Sequence, residues 1–148
     1  MPHSRFDWAG RIKAVEREYS AARLALDWLL EASPDEIHEL AEAREWDDLA
    51  AASIYDADRH LDATYLIRMF SVFDRAIHSF WRLLPDNDGR SVEGDVRIEE
   101  AGAGRVILRD MIDRVQDVRI LRNKLVHGRI EDHYSNMTFA EAREHLLN

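Results

Sequence analysis

Three side chains near the end of one predicted helix combine charge, hydrogen-bonding capacity and a titratable ring. They are Arg122, Asn123 and His127, within the segment Arg122-Asn123-Lys124-Leu125-Val126-His127-Gly128. Because histidine titrates near neutral pH, it can act as the base for an attacking hydroxyl or as the acid for a leaving oxygen. A guanidinium matches the geometry of a phosphate, and an amide can orient the ring or donate to the phosphate. These residue types suit phosphoryl transfer on RNA, a reaction that requires no metal ion.

The helix expected over 106–127 holds these residues at one edge of an apolar stripe. At about 100° per residue, the stripe consists of Leu108, Met111, Ile112, Val115, Val118, Leu121, Leu125 and Val126. Arg122 falls near its middle, where a guanidinium must meet a carboxylate, a phosphate or a wet interface. Asn123 and His127 are four residues apart and share one side of the helix. The alternative is that Arg122 pairs with a core carboxylate and that His127 merely caps the helix.

Charge is unevenly distributed along the chain. Twelve acids and two bases stand between Asp27 and Asp62, whereas seven bases and three acids stand between Arg105 and Arg129. The basic section surrounds the motif, and a local positive field favours an anionic ligand. Arg119, one turn before Asn123, either extends a phosphate-binding track or is a solvated surface residue. The alternative for the whole section is that acidic and basic helices pair within the fold.

Composition limits the class of protein. The chain has 148 residues, a formal net charge of −9 and no Cys, which excludes disulfides, thiolate metal sites and a Cys nucleophile. Its acidity argues against non-specific nucleic-acid binding. No apolar run is long enough for a membrane span or a signal peptide, so a cytoplasmic location without membrane contact is expected. No phosphate-binding glycine loop or zinc-ligand spacing occurs, and we expect no cofactor and no metal.

Nearly the whole chain has helical periodicity, which predicts an all-α, up-down bundle of four to five helices in a single domain over 1–148. The expected helices cover about 4–31, 34–45, 55–84 and 106–127, with a final short one that starts at Thr138. The aromatic stripe of the helix over 55–84 is expected at the centre of the core. Residues 86–105 contain four of the six glycines and many charges, and they predict a mobile loop with a short turn near 97–101.

The segment from Leu121 to Gly128 resembles the signature of the HEPN superfamily (higher eukaryote and prokaryote nucleotide-binding domains). That signature is an Arg, often followed directly by Asn, then a short spacer and a His, at the end of a late helix in a small all-helical bundle. The long helix before the motif, the intervening loop and the late position of the motif also look like that family. The architectural resemblance covers most of the chain, while the motif itself is its specific part.

The resemblance implies a metal-independent endoribonuclease in which two protomers form a homodimer and both motifs line one RNA-binding cleft. By this resemblance Arg122 would hold the scissile phosphate, His127 would be the acid or base, and Asn123 would support them. The family often adds an acidic or polar residue from an earlier helix, for which Asp74 is the candidate, with an ordinary ion pair as the alternative.

Members of the superfamily include toxins of toxin–antitoxin pairs and phage-defence effectors. Expected partners are therefore an antitoxin or a nucleotidyltransferase-like protein, besides RNA and a second protomer. Other members do not catalyse a reaction, and a HEPN-like dimerisation or partner-binding module is the alternative function.

Overall fold

In the computed structural model every secondary-structure element of the described residues, which are 5–46, 51–84, 92–103, 107–127 and 137–147, is a helix. These residues form six helices: α1 (Arg5–Glu31), α2 (Pro34–Ala43), α3 (Ala51–Trp81), α4 (Gly94–Ala103), α5 (Arg109–His127) and α6 (Phe139–Leu147). The predicted all-α bundle is confirmed, with one helix more than the expected four to five. None of the described helices is both long and apolar enough to cross a membrane.

Helix α3 is the central element of the bundle, because α1, α4, α5 and α6 all pack against it. The side chains of Leu66, Met69, Phe70 and Trp81 on α3 are buried, which confirms that its aromatic stripe lies in the core. Met69 of α3 and Val118 of α5 are the largest side chains that are fully buried among the described residues. The motif-bearing helix is therefore fixed from within the core.

Helix α4 corrects the prediction of a loop over 86–105 in the part that it covers, 94–103, while 86–91, 104 and 105 lie outside the described residues. Its local sequence is glycine-rich and charged, yet Ile98 and Ala101 are buried and the helix packs against both α3 and α5. The indole Nε1 of Trp81 also donates a hydrogen bond to Glu100 at 2.6 Å. Tertiary contacts thus stabilise a helix whose intrinsic propensity is weak.

Gly102 allows α4 to approach α5 closely. A Cβ atom at this position would lie 2.5 Å from Cδ1 and 2.8 Å from Cγ1 of Ile112, both too short for a real contact. We expect Gly102→Ala to lower the free energy of unfolding by about 1–2 kcal/mol, because overpacking outweighs the gain of about 1 kcal/mol in helix propensity. Urea denaturation measures the loss. Ile112→Val removes Cδ1, so the double variant should lose less than the sum of the two single variants, and additive losses would contradict this steric explanation.

Tyr19 links α1 to α3 through a hydrogen bond from its hydroxyl to Oδ1 of Asp62, at 2.8 Å. Burial, reinforced by this bond, raises the pKa of Tyr19 from 10.0 to about 12. Since the folded-state pKa is the higher one, the contribution of Tyr19 to stability is complete below about pH 10 and is lost as the pH rises towards 12. We expect the free energy of unfolding to fall over this interval, and to fall less steeply in Tyr19→Phe. Equal slopes in urea titrations at stepped pH would show that Tyr19 has no such role.

Candidate functional site

Helix α5 carries the motif at its C-terminal end and packs against α3, α4 and α6. Its buried residues are Ile112, Val118 and Leu121. The predicted stripe is therefore correct in its middle but not at its ends, since Leu108 and Val126 are 67% and 42% exposed. The helix leaves the core before the motif is complete, which gives the last turn access to solvent.

The guanidinium of Arg122 lies on the packed side of α5 and is partly buried. Its Nη1 donates a hydrogen bond to Oδ1 of Asn123 at 2.9 Å, whereas its Nε is buried and has no acceptor. Among the described residues, no Asp or Glu forms an ion pair with Arg122. The alternative of a core carboxylate partner therefore has no support in this part of the chain, and the guanidinium keeps donors available for an anion.

Asn123 is partly buried, and His127, the last residue of α5, is exposed. Their spacing of four residues sets them on one side of the helix, while Arg122 lies about 140° around the axis from His127. The hydrogen bond between Arg122 and Asn123 brings the guanidinium towards this side. The helix end thus presents an accessible imidazole beside an amide that holds the guanidinium.

Asp74 contacts Arg97 instead of Arg122. Its Oδ1 accepts a hydrogen bond from Nη1 of Arg97 at 3.2 Å, and Nη2 of Arg97 donates to the carbonyl oxygen of Val92 at 3.1 Å. The Arg97 side chain is 17% exposed, so this ion pair is largely shielded. Asp74 therefore joins α3 to α4, which agrees with the alternative of an ordinary ion pair.

Arg119 joins α5 to the first turn of α4. Its Nε donates to Oε1 of Gln116 at 2.8 Å, and its Nη2 lies 3.6 Å from Oδ2 of Asp95. Gln116 in turn donates to the backbone oxygen of Asp95 at 2.9 Å. Local sequence patterns predict neither this role of Arg119 nor the role of Arg97, because both depend on α4, a segment whose composition predicts a loop.

The positive charge of α5 is compensated from Arg109 to Arg119 and not in the last turns of the helix. Arg109 pairs with Glu99 at 2.5 Å and with Asp113 at 3.0 Å, and Arg114 lies 3.6 Å from Asp110. By contrast, Arg122 and Lys124 form no ion pair within the described ranges. The acids that neutralise α5 come from α4 and from α5 itself, so pairing with the acidic section between Asp27 and Asp62 does not account for them. The uncompensated charge therefore lies within the motif segment itself.

Comparisons with models of protein families, with characterised proteins and with solved structures gave no match. The resemblance to the HEPN superfamily therefore stays a prediction from the motif and its position. In the part of the chain that the structure describes, no group of three or more His, Asp or Glu residues is arranged to hold a metal ion.

Proposed function

We propose that the chain is a metal-independent, HEPN-like endoribonuclease whose site consists of Arg122, Asn123 and His127. The observation that supports this function best is the state of Arg122, which is partly buried and bonded to Asn123, with no carboxylate on it in the described structure. Removing a cation from water without such a partner reduces stability. A role in binding the phosphate of RNA explains why the residue is tolerated there.

In the proposed reaction, the 2′-oxygen of one nucleotide attacks the adjacent phosphorus atom and the bond to the 5′-oxygen breaks. A base removes the proton from the 2′-hydroxyl, and an acid protonates the departing 5′-oxygen, so the products carry a 2′,3′-cyclic phosphate and a 5′-hydroxyl. Arg122 neutralises the charge that develops on the phosphorane oxygens. Asn123 keeps the guanidinium on the side of His127.

A dimer would supply the second acid–base group that one copy of the motif lacks. The base and the acid act on opposite sides of the phosphorus atom, whereas each motif contains one His. Two copies related by a two-fold axis would provide His127 twice around one cleft. Ile120 and Val126 on α5 are 45% and 42% exposed, which gives this helix end apolar area for such a contact.

The experiment that tests this function measures cleavage of labelled RNA in EDTA. We expect the wild type to cut and to leave cyclic-phosphate ends, and His127→Ala to be slower by about 10²–10⁴-fold, because it lacks the acid–base group. Lys124→Ala is the matched control, since it removes an exposed cation from the same turn. Equal cleavage by the wild type and His127→Ala would exclude His127 from the reaction.

The second candidate is a non-catalytic HEPN-like dimerisation or partner-binding module. The exposed apolar residues of α5 favour it independently of any chemistry. A folded wild-type dimer that cuts neither single-stranded nor structured RNA would support this candidate. A setting in toxin–antitoxin or phage-defence systems, with an antitoxin or a nucleotidyltransferase-like partner, is proposed from the resemblance alone.

A further inference from the structure

Helix α1 carries a second apolar stripe, on the side that faces away from α3. The side towards the core contains three buried residues: Ile12, Val15 and Leu26. On the opposite side Leu24 and Trp28 are 74% and 56% exposed, and Ala21 and Ala25 are exposed beside them. Their spacing is that of a single side of a helix. An apolar stripe of this kind on an outer helix indicates a contact surface.

Charged residues on the same side of α1 are arranged with opposite signs at the two ends of the stripe. Lys13 and Arg17 precede it, and Glu31 follows it. All three are exposed, and within the described ranges none of them forms an ion pair. If two such helices packed in parallel, like charges would face each other. An antiparallel arrangement would bring the basic end of each helix to the acidic end of the other.

We propose that this stripe is a self-association surface on which α1 of a second copy packs in the antiparallel direction. A two-fold axis between Leu24 and Ala25 places Trp28 over the small Ala21 of the second copy. The same axis brings Arg17 to the level of Glu31 of the second copy. Large side chains over small ones let two helices approach closely. The stripe is therefore self-complementary in both shape and charge, which is what a two-fold interface requires.

The association through α1 is separate from the proposed cleavage site. The stripe lies on α1, whereas Arg122, Asn123 and His127 lie on α5. A variant that removes the α1 contact should therefore still cleave RNA if the wild type does. Failure of one proposal leaves the other intact, and the two are measured by different readouts.

Light scattering of the purified full chain tests the surface. We expect the wild-type particle to have at least twice the mass of the Leu24→Asp particle, because a charge at the centre of the stripe is buried twice at each contact between two α1 helices. If copies also pair through α5, the Leu24→Asp particle is the α5-linked dimer; otherwise it is the monomer. Leu83→Asp is the matched control, since Leu83 is 69% exposed but lies beyond α3, and it should keep the wild-type mass. Both leucines are solvent-exposed, so neither change perturbs the core. Equal masses for the wild type and Leu24→Asp would overturn the proposal.

Single cysteines test the direction of packing, because the chain contains no Cys of its own. Under mild oxidation Leu24→Cys should form a disulfide-linked dimer, since this position lies beside the two-fold axis. Glu31→Cys should not form this link, because its two copies would be about 20 Å apart along the helix axis. A disulfide needs Cα atoms within about 7 Å of each other. Combining Arg17→Cys with Glu31→Cys should restore the link. Equally fast linking by Glu31→Cys alone would show parallel packing and would overturn the antiparallel arrangement.

Discussion

Replacing Arg122 with Met is expected to slow RNA cleavage by about 10²–10³-fold and, at the same time, to raise the free energy of unfolding. The loss of rate follows from removing the cation that faces the charge developing on the phosphate. The gain in stability follows because a partly buried guanidinium with an unpaired Nε and no carboxylate in the described structure is replaced by an apolar chain of similar length. We expect this gain to be about 1–3 kcal/mol.

Two measurements on the same preparation check this pair of effects. Urea denaturation followed by the fluorescence of the four tryptophans gives the free energy of unfolding, and cleavage in EDTA gives the rate. Lys124→Met is the control on the same helix turn, and because Lys124 is exposed it should change stability by no more than about 0.5 kcal/mol. If Arg122→Met lowers the stability instead, the guanidinium serves the fold, and the non-catalytic module becomes the better interpretation.

Arg122→Met is informative because the cleavage rate is expected to fall while the free energy of unfolding is expected to rise. Replacing a residue that is retained for packing lowers the stability of the protein. Replacing a residue that is retained for function, although it destabilises the fold, raises the stability. His127→Ala does not separate the two cases as well, because His127 is exposed and contributes little to packing in either case. Arg122 is the motif residue that is expected to destabilise the fold and yet to be required for the proposed reaction.

A helix could be predicted from the sequence where one of its faces is apolar over several turns. The stripe of α3 and the packed position of Arg122 on α5 follow from spacing alone, since rotation of about 100° per residue is a property of every helix. Helix α4 could not be found this way. It begins at Gly94, and Gly102 lies inside it, so local propensity argues against a helix that burial of Ile98 and Ala101 stabilises.

Ion-pair partners were the part of the site that the sequence could not assign. Asp74 does lie on a helix that precedes α5, but its partner Arg97 lies on α4, within the stretch predicted to be a loop. The partner of Arg119 could not be predicted either, because Asp95 also lies on α4. Spacing fixes the side of a helix from which a charge projects. The partner depends on how helices are placed relative to one another, which a local pattern does not contain.

Arg97 is the matched opposite of Arg122, and Arg97→Met is expected to lower the free energy of unfolding by about 2–3 kcal/mol. Both guanidiniums have a buried, unpaired Nε, so this atom does not distinguish them. The difference is that Arg97 binds the carboxylate of Asp74 and the carbonyl oxygen of Val92, and both bonds would be lost. Urea denaturation of Arg97→Met beside Arg122→Met compares two equal chemical changes with opposite expected signs.

Asp74→Asn completes the comparison by keeping the shape of the side chain and removing its charge. We expect a loss of stability of about 1–2 kcal/mol, since Arg97 is only 17% exposed and would be left with a weaker acceptor. Cleavage should stay within about twofold of the wild type, because a carboxylate occupied by Arg97 is not available to Arg122 or to RNA. A large loss of cleavage at unchanged stability would instead place Asp74 in the site, and the ion pair with Arg97 would then have to open when RNA binds.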